Sequence, residues 1–428
     1  MNGRPPVILL TVSLFLMASG SLRDLVFPLG YWGAWGGWAV VSLATAFCTQ
    51  DVHALRRPPW YVMVSFTVLW LGMLVSAVVN KDWPSAYQAM KIVVIAGMFL
   101  AMWRLAVRLD WRQLVGAMSW TVVAVLISLA VSKAWNPTGQ VLADGPREGS
   151  FLAVYGVLWK VGAFFLPVFL ADAVEEPAAW ARNGLMIAAC VFLVLIDGSR
   201  TGLLLLGATA VGFFAFLVWR GNWRRSVGRL RWLWMALALL LVLQLLNTGA
   251  NMGMGWLRAG SAVSGAPNGA ATMPAAMAPA RVLEGALNRT FETRIGAGDP
   301  ARIKLLRGSL NRVTACLPVG CGFGSMGADI GTGAWMVVHN AYLAALGDFG
   351  ILGLAGMLGF LMAAWLPIRD VLRQGRKDAQ GCFTVAAAGS ALAYGMALMF
   401  NTFTTEMSEW GYLILMLAFA WAPAKNPG

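Results

Sequence analysis

Apolar runs of about 16–20 residues recur along the chain, each broken by a short polar stretch. At 1.5 Å of helical rise per residue, a run of about 20 residues crosses a hydrocarbon core of about 30 Å. Twelve spans are predicted, over residues 7–19, 29–48, 61–79, 92–103, 114–131, 151–170, 178–196, 202–219, 232–246, 341–368, 383–400 and 411–422. The fourth is short unless it runs on through Arg104, the seventh takes in Arg182 near one end, and the tenth is long enough to begin as an entry helix. The first run has the basic start and small-residue end of a signal peptide, but with so many spans behind it we read it as an uncleaved helix. Only one long hydrophilic segment interrupts the series. It divides the chain into spans one to nine (1–246), a large loop (247–338) and spans ten to twelve (339–428). The expected fold is an all-α polytopic membrane protein with about 12 transmembrane helices and one large helical loop.

Composition agrees, with 59% hydrophobic and 12% charged residues and a mean hydropathy of +0.68. That charged share is about half of what a soluble domain carries. With the N-terminus in the cytoplasm, Arg56, Arg57, Arg104, Arg108, Arg112, Arg182, the basic run from Arg220 to Arg231, and Arg369 to Lys377 fall on that side. The opposite short loops hold far fewer cations, as the positive-inside rule requires. The net charge of +13 is therefore orientation bias and not a sign of nucleic acid. Twelve spans return the C-terminus to the cytoplasm and put the large loop outside.

That loop breaks the charge pattern. It carries Arg258, Arg281, Arg289, Arg294, Arg302, Lys304, Arg307 and Arg312 against Glu284, Glu292, Asp299 and Asp329, a basic surface suited to an anionic ligand. Its first part is low-complexity Gly, Ala, Met and Ser, which cannot bury a core and is expected to be mobile. From Asp299, a good N-cap, and Pro300 at the first helical position, a helix is predicted. Ile303, Leu306, Leu310 and Val313 form one apolar stripe along it, ringed by cations, so the helix is suited to the membrane surface. Cys316 and Cys321 stand five positions apart outside the membrane, where either a disulfide or two free thiols are open. "GCGFGSMG" follows as a glycine-rich turn, a weak phosphate-loop signal because glycine also serves tight bends.

Several charges sit where a bilayer makes them costly. Arg200, in the hairpin "DGSRTG", lies at or just below the external interface; Arg147 stands at the external start of the sixth span. Lys160 lies mid-span with no evident partner, and Glu406 and Glu409 share a helix face but make a poor metal site on their own. His339 is one of two histidines in 428 residues and opens the tenth span with Asn340. Guanidiniums converging at a bilayer surface suit a pyrophosphate, whose oxygens accept forked donors. The external acids form no DxD or HExxH pattern and no Cys/His cluster, so no metal and no cofactor is expected.

Taken in order, "PREGSFL", "SRTG", "ARIKLL…LPVGCGFGSM" and "HNAYLAALGDFGILG" resemble the O-antigen ligase and polymerase family of membrane glycan transferases. The resemblance implies a multi-spanning, GT-C-like fold with a helical periplasmic loop in the inner membrane of a Gram-negative cell. It implies an undecaprenyl-diphosphate-linked glycan donor, a lipid A–core acceptor and a metal-independent reaction. Its functional residues correspond to Arg200, Arg302 and His339, with Arg147 and Arg307 assisting at the pyrophosphate and Asn340, Lys304 and Arg289 supporting. Two departures stand out. Leu305 and Leu306 lie where the family often has an aromatic, and Asp348 lies where glutamate is common. A single dominant external loop favours ligase over polymerase. In the expected mechanism His339 takes the proton of an acceptor hydroxyl and the arginines stabilise the departing diphosphate, with inversion at the anomeric carbon. The glycines at 347, 350 and 353 are expected to let the tenth span bend or pack closely beneath the site. Polymerase and protein O-oligosaccharyltransferase are the near alternatives, and a transporter or flippase of a lipid-linked anionic solute is the alternative of another class.

Overall fold

The computed structural model describes residues 4–19, 28–48, 57–135, 141–142, 145–146, 150, 152–153, 156–197, 199–221, 300–329 and 335–422. Before the loop come α1 (Arg4–Ala18), α2 (Pro28–Cys48), α3 (Trp60–Asn80), α4 (Trp83–Arg108), α5 (Trp111–Trp135), α6 (Leu158–Glu175), α7 (Trp180–Asp197) and α8 (Arg200–Arg220). The loop holds α9 (Pro300–Val313), and α10 (Ala341–Arg373), α11 (Ala379–Leu398) and α12 (Met407–Trp421) follow. Two small antiparallel hairpins pair β1 (Val141–Leu142) with β2 (Gly145–Pro146) and β3 (Gly327–Asp329) with β4 (Trp335–Val337). Among the described residues, seven helices are long and apolar enough to cross a membrane: the protein is an α-helical multi-pass membrane protein. The predicted span 232–246 lies outside the described residues.

Local chemistry explains where helices depart from the apolar runs. The fourth span extends well beyond 92–103, because the Asp82 carboxylate caps α4 by accepting from the Ser85 amide and Pro84 suits its first turn. It thereby carries Lys91 and Arg104 within one continuous helix. The sixth span starts at Leu158 and not at 151. Upstream, the chain turns at Ser150–Ala153 and passes through Gly156, whose φ of 85° suits glycine. The Asp197 carboxylate ties this entry down, accepting from the amides of Gly156 (2.9 Å) and Trp159 (3.2 Å). In the seventh span, Arg182 is compensated by an ion pair with Asp172 of α6.

Antiparallel α3 and α10 meet in a seam of backbone contact. A Cβ at Gly72 would stand 2.7 Å from the Gly353 nitrogen, and one at Gly356 would stand 2.6 Å from the Leu69 backbone. Small residues let membrane helices approach to backbone contact, and packing gained there replaces the hydrophobic drive that lipid removes. Around this pair, α6 is buried between α7, α8 and α11, and α12 is enclosed by α11, α4 and α1. Phe66, Phe99, Phe360 and Trp410 interlock edge to face and tilted at the centre, with ring centroids 4.7–6.1 Å apart.

This seam gives a paired prediction. Gly72→Ala forces the α3 and α10 backbones apart and lowers thermal stability by about 1–3 kcal/mol, the usual cost of overpacking. Gly97→Ala, where an added Cβ meets no atom within 4 Å, leaves stability unchanged or raises it by up to about 1 kcal/mol. Thermal unfolding of both variants in one detergent checks the contrast.

Candidate functional site

The loop unit is built onto one end of the bundle, called here the loop end. Two five-residue-spaced cysteines, Cys316 and Cys321, are joined in a disulfide, so the bridge is the outcome of the two that were open. Between and beyond them, residues 318–326 form the glycine-rich turn. Its amides from Gly320 to Met326 are all bonded. Cys321 and Gly322 donate to the carbonyls of Gly347 (2.8 Å) and Asp348 (3.1 Å), and Phe323 donates to the Asp82 carboxylate (2.9 Å). Gly324 and Met326 donate to the Asp348 carboxylate at 2.9 and 3.1 Å, joined by the Ser325 hydroxyl at 2.8 Å. The turn therefore does not present these amides to a phosphate. It is a clasp onto the bundle.

The clasp seats in a kink of α10. Gly350 has φ 72° and ψ −162°, a region for glycine alone, and a Cβ there would overlap the Pro318 carbonyl. The break lets Ile351 donate to Pro318 (3.0 Å) and leaves the Asp348 carbonyl to accept from Ser76 of α3 (2.7 Å). Asn80 of α3 donates to Gly320 (2.9 Å). Gly347 makes room for Met326, whose sulfur a Cβ would overlap. The expected roles of Gly347, Gly350 and Gly353 are thus seen as close packing at 347 and 353 and a kink at 350. Asp348, although shorter than glutamate, reaches three donors itself.

Helix α9 lies against β3 and buries Leu305, Ser309 and Val313, four residues apart. This corrects the single predicted stripe: of its members only Val313 is buried, while Ile303, Leu306 and Leu310 are exposed. The hairpin claims one face because the clasp fixes its position, and the other apolar face is left outward beside exposed Lys304 and Arg307. Leu305 fills the buried place next to the absent aromatic. Arg312 stacks on Trp335 (5.0 Å) and donates to the Ser325 carbonyl (3.3 Å).

His339 is half-buried between two fixed points. Val338 donates to Met326 of the clasp (2.8 Å), and the Asn340 side chain caps α10 by accepting from the Leu343 amide (3.0 Å). Asn340 is therefore a cap, as its sequence position allows. Arg200 heads α8 at the same end, after Ser199, whose hydroxyl accepts from Gly202. Arg302 lies in the first turn of α9. The backbones of Arg200 and Arg302 are described and their side chains are not; Arg147 and Arg289 lie outside the described residues. Among the described residues, no three His, Cys, Asp or Glu side chains are placed to share a metal ion.

Sequence reading missed the partners of the intramembrane charges. Lys160 of α6 pairs with Glu409 of α12, and Lys91 of α4 pairs with Glu406 at 2.6 Å. Each lies more than 200 residues from its partner, so no local spacing could reveal them. Compared with protein-family models and with curated protein sequences, the chain matches neither.

The clasp predicts that Asp348→Ala leaves three donors facing a buried void. Loss of about 2 kcal/mol or more in thermal stability is expected, since each buried unsatisfied group costs about 1–3 kcal/mol. For the disulfide, alkylation in denaturant modifies three of the five cysteines before reduction and all five after it, read by intact mass. Five modified cysteines without reduction would rule the bridge out.

Proposed function

We propose that this chain is a membrane glycan transferase of the O-antigen ligase kind. It moves a glycan from undecaprenyl diphosphate onto the lipid A–core oligosaccharide at the periplasmic face of the inner membrane of a Gram-negative cell. The reading takes the full protein to have twelve spans, a GT-C-like arrangement and both termini in the cytoplasm. One observation carries it: two of the four segments that bear the family resemblance pack as a single unit. "LPVGCGFGSM" clasps "HNAYLAALGDFGILG" through Asp348 and Gly350, with the "ARIKLL" helix packed on the same hairpin. Separated motifs that lock together around one half-buried histidine are what a shared site requires.

In this mechanism His339 accepts the proton of an acceptor hydroxyl. The acceptor oxygen forms its bond to the anomeric carbon as the bond from that carbon to the diphosphate oxygen breaks. The electron pair leaves with undecaprenyl diphosphate, and direct displacement inverts the anomeric centre. Arg200 and Arg302, assisted by Arg147 or Arg307, stabilise the charge that grows on the diphosphate. Lys304 and Arg289 add to the basic surface of the loop.

The test is reconstitution with undecaprenyl-diphosphate glycan and either lipid A–core or a second donor chain. Product on lipid A is expected; a lengthened donor would make the protein a polymerase, and no product would favour a transporter. His339→Ala and Arg200→Ala are each expected to lower transfer by about 100-fold or more, the scale of one general base or one oxyanion donor. Arg200→Lys, which keeps charge without the fork, is expected to fall between. Folded variants that transfer at the normal rate would overturn the site assignment.

A further inference from the structure

An apolar groove of about 470 Å³ runs along the side of the bundle. Helix α11 forms its floor, and α8 and α10, both packed on or beside α11, form its walls. Small residues open it: Ala208, Gly212 and Ala215 line it from α8, and Ala386, Gly389 and Ala393 from α11. In membranes such residues usually draw helices to backbone contact, as Gly72 and Gly356 do in the α3–α10 seam. Here a Cβ at Gly212 or Gly389 would meet no atom within 4 Å, so the space stays open. Phe213, Phe216 and Trp365 give the walls aromatic surface, and no charged side chain lines the groove. Its opening is lateral, since Gly212, Ala215, Trp365 and Met396 are exposed.

Length and level decide what such a groove takes. From Ala208 to Trp219 it follows α8 for roughly 17 Å. That is about one leaflet of a hydrocarbon core of about 30 Å. It stops where the two walls stop, at Trp219 next to the last residue of α8 and at Leu372 next to the last residue of α10. Both are the helix ends away from the loop, since Arg200 and Ala341 head these helices at the loop end. A sugar or a phosphate buried between these walls would lose its water without gaining a partner. An extended hydrocarbon chain entering sideways from the bilayer loses nothing and fills the space.

The far mouth of the groove supplies the charge. Lys377 holds its ammonium 5.7 Å from the centre of the Trp219 ring, which itself lines the groove. The cations around it are committed: Arg220 to Glu175 and the Lys377 carbonyl, Arg369 to Asp370, and Arg376 to Asp378. Lys377 is exposed, and among the described residues no carboxylate pairs with it. A tryptophan with a free ammonium at headgroup level is an anchor for an anionic lipid. We propose that the groove between α8 and α10 holds an acyl chain of an anionic glycerophospholipid from the leaflet opposite the loop, with its headgroup phosphate at Lys377. The proposal stands apart from the transferase reading: a donor diphosphate belongs at the arginines of the loop end, and this groove has its cation at the other end. A lipid seated here packs against α8, the least buried of the seven membrane-length helices, which carries Arg200 at its loop end.

The experiment uses the full chain in nanodiscs doped with phosphatidylglycerol or phosphatidylcholine, each carrying a photoreactive acyl chain, and maps the cross-linked peptides by mass spectrometry. Exposed Trp60 and Val64, on the lipid-facing side of α3 in the same leaflet, give the reference for bulk lipid. The ratio of groove to reference labelling is expected to be about fivefold higher for phosphatidylglycerol, the scale of one basic side chain at an anionic headgroup. Lys377→Glu, a surface change, is expected to bring both probes to the same ratio while thermal unfolding shows an intact fold. Gly212→Leu and Gly389→Leu, which fill the groove from wall and floor, are each expected to lower groove labelling by both probes. Equal ratios for the two probes in the wild type would mean bulk lipid only and overturn the proposal, as would a selectivity that survives Lys377→Glu. So would a groove that takes no label, filled instead by another part of the chain or a second copy. Displacement of the probe by sugarless undecaprenyl phosphate, but not by unlabelled phosphatidylglycerol, would assign the groove to the donor lipid and overturn it as well.

Discussion

The Asp348 carboxylate and the amides of the turn opposite it hold the loop end of the molecule together. Peptide groups at the edge of a membrane cannot be left unpaired without a cost of several kcal/mol each. The glycine-rich turn meets that constraint with protein acceptors alone: two carbonyls of α10 released by its kink, and the carboxylates of Asp82 and Asp348. Gly350 makes this possible, since its backbone conformation turns the helix carbonyls toward the turn. Once the clasp is closed, the positions of α9, the β3–β4 hairpin and His339 follow, because each is bonded or packed to it.

The same constraint governs the charges deeper in the bundle. Lys91 and Lys160 would be prohibitive alone at their depth, and each is matched by a carboxylate from α12. At the opposite end, Arg220 pairs with Glu175 and donates to the Lys377 carbonyl, and Arg112 pairs with Glu176, stitching α5, α6, α8 and the α10–α11 turn. The buried pairs, Lys91–Glu406, Lys160–Glu409 and Arg220–Glu175, contribute little net stability, but breaking one costs about 3–5 kcal/mol by stranding a charge. They fix which helices are neighbours. A membrane protein whose helix surfaces are uniformly apolar needs such marks, together with glycine seams, to choose one packing over another.

Much was legible from the chain alone. Hydrophobic run length, with its cost of unpaired backbone in lipid, predicted helices at every described span, and Asn340 and Gly350 carry local signals for a cap and a bend. The α9 helix was readable from Pro300 and its apolar spacing. Its orientation was not, because Leu305 and Ser309 became the buried side only when β3 arrived to cover them. His339 was conspicuous by rarity, but nothing local said that Val338 would be pinned to Met326.

What the sequence determined by itself was the membrane class, the existence and rough extent of the helices, and the candidate residues on the loop side. These depend on composition and short-range periodicity, which one segment expresses without its neighbours. Tertiary structure alone decided that a phosphate-like glycine turn is a clasp, that Lys160 faces Glu409, and that Lys91 faces Glu406. The physical reason is common to all three. A buried amide or ammonium must find a partner, and when the bilayer denies it water, that partner is supplied by whichever distant helix the packing brings within hydrogen-bond reach.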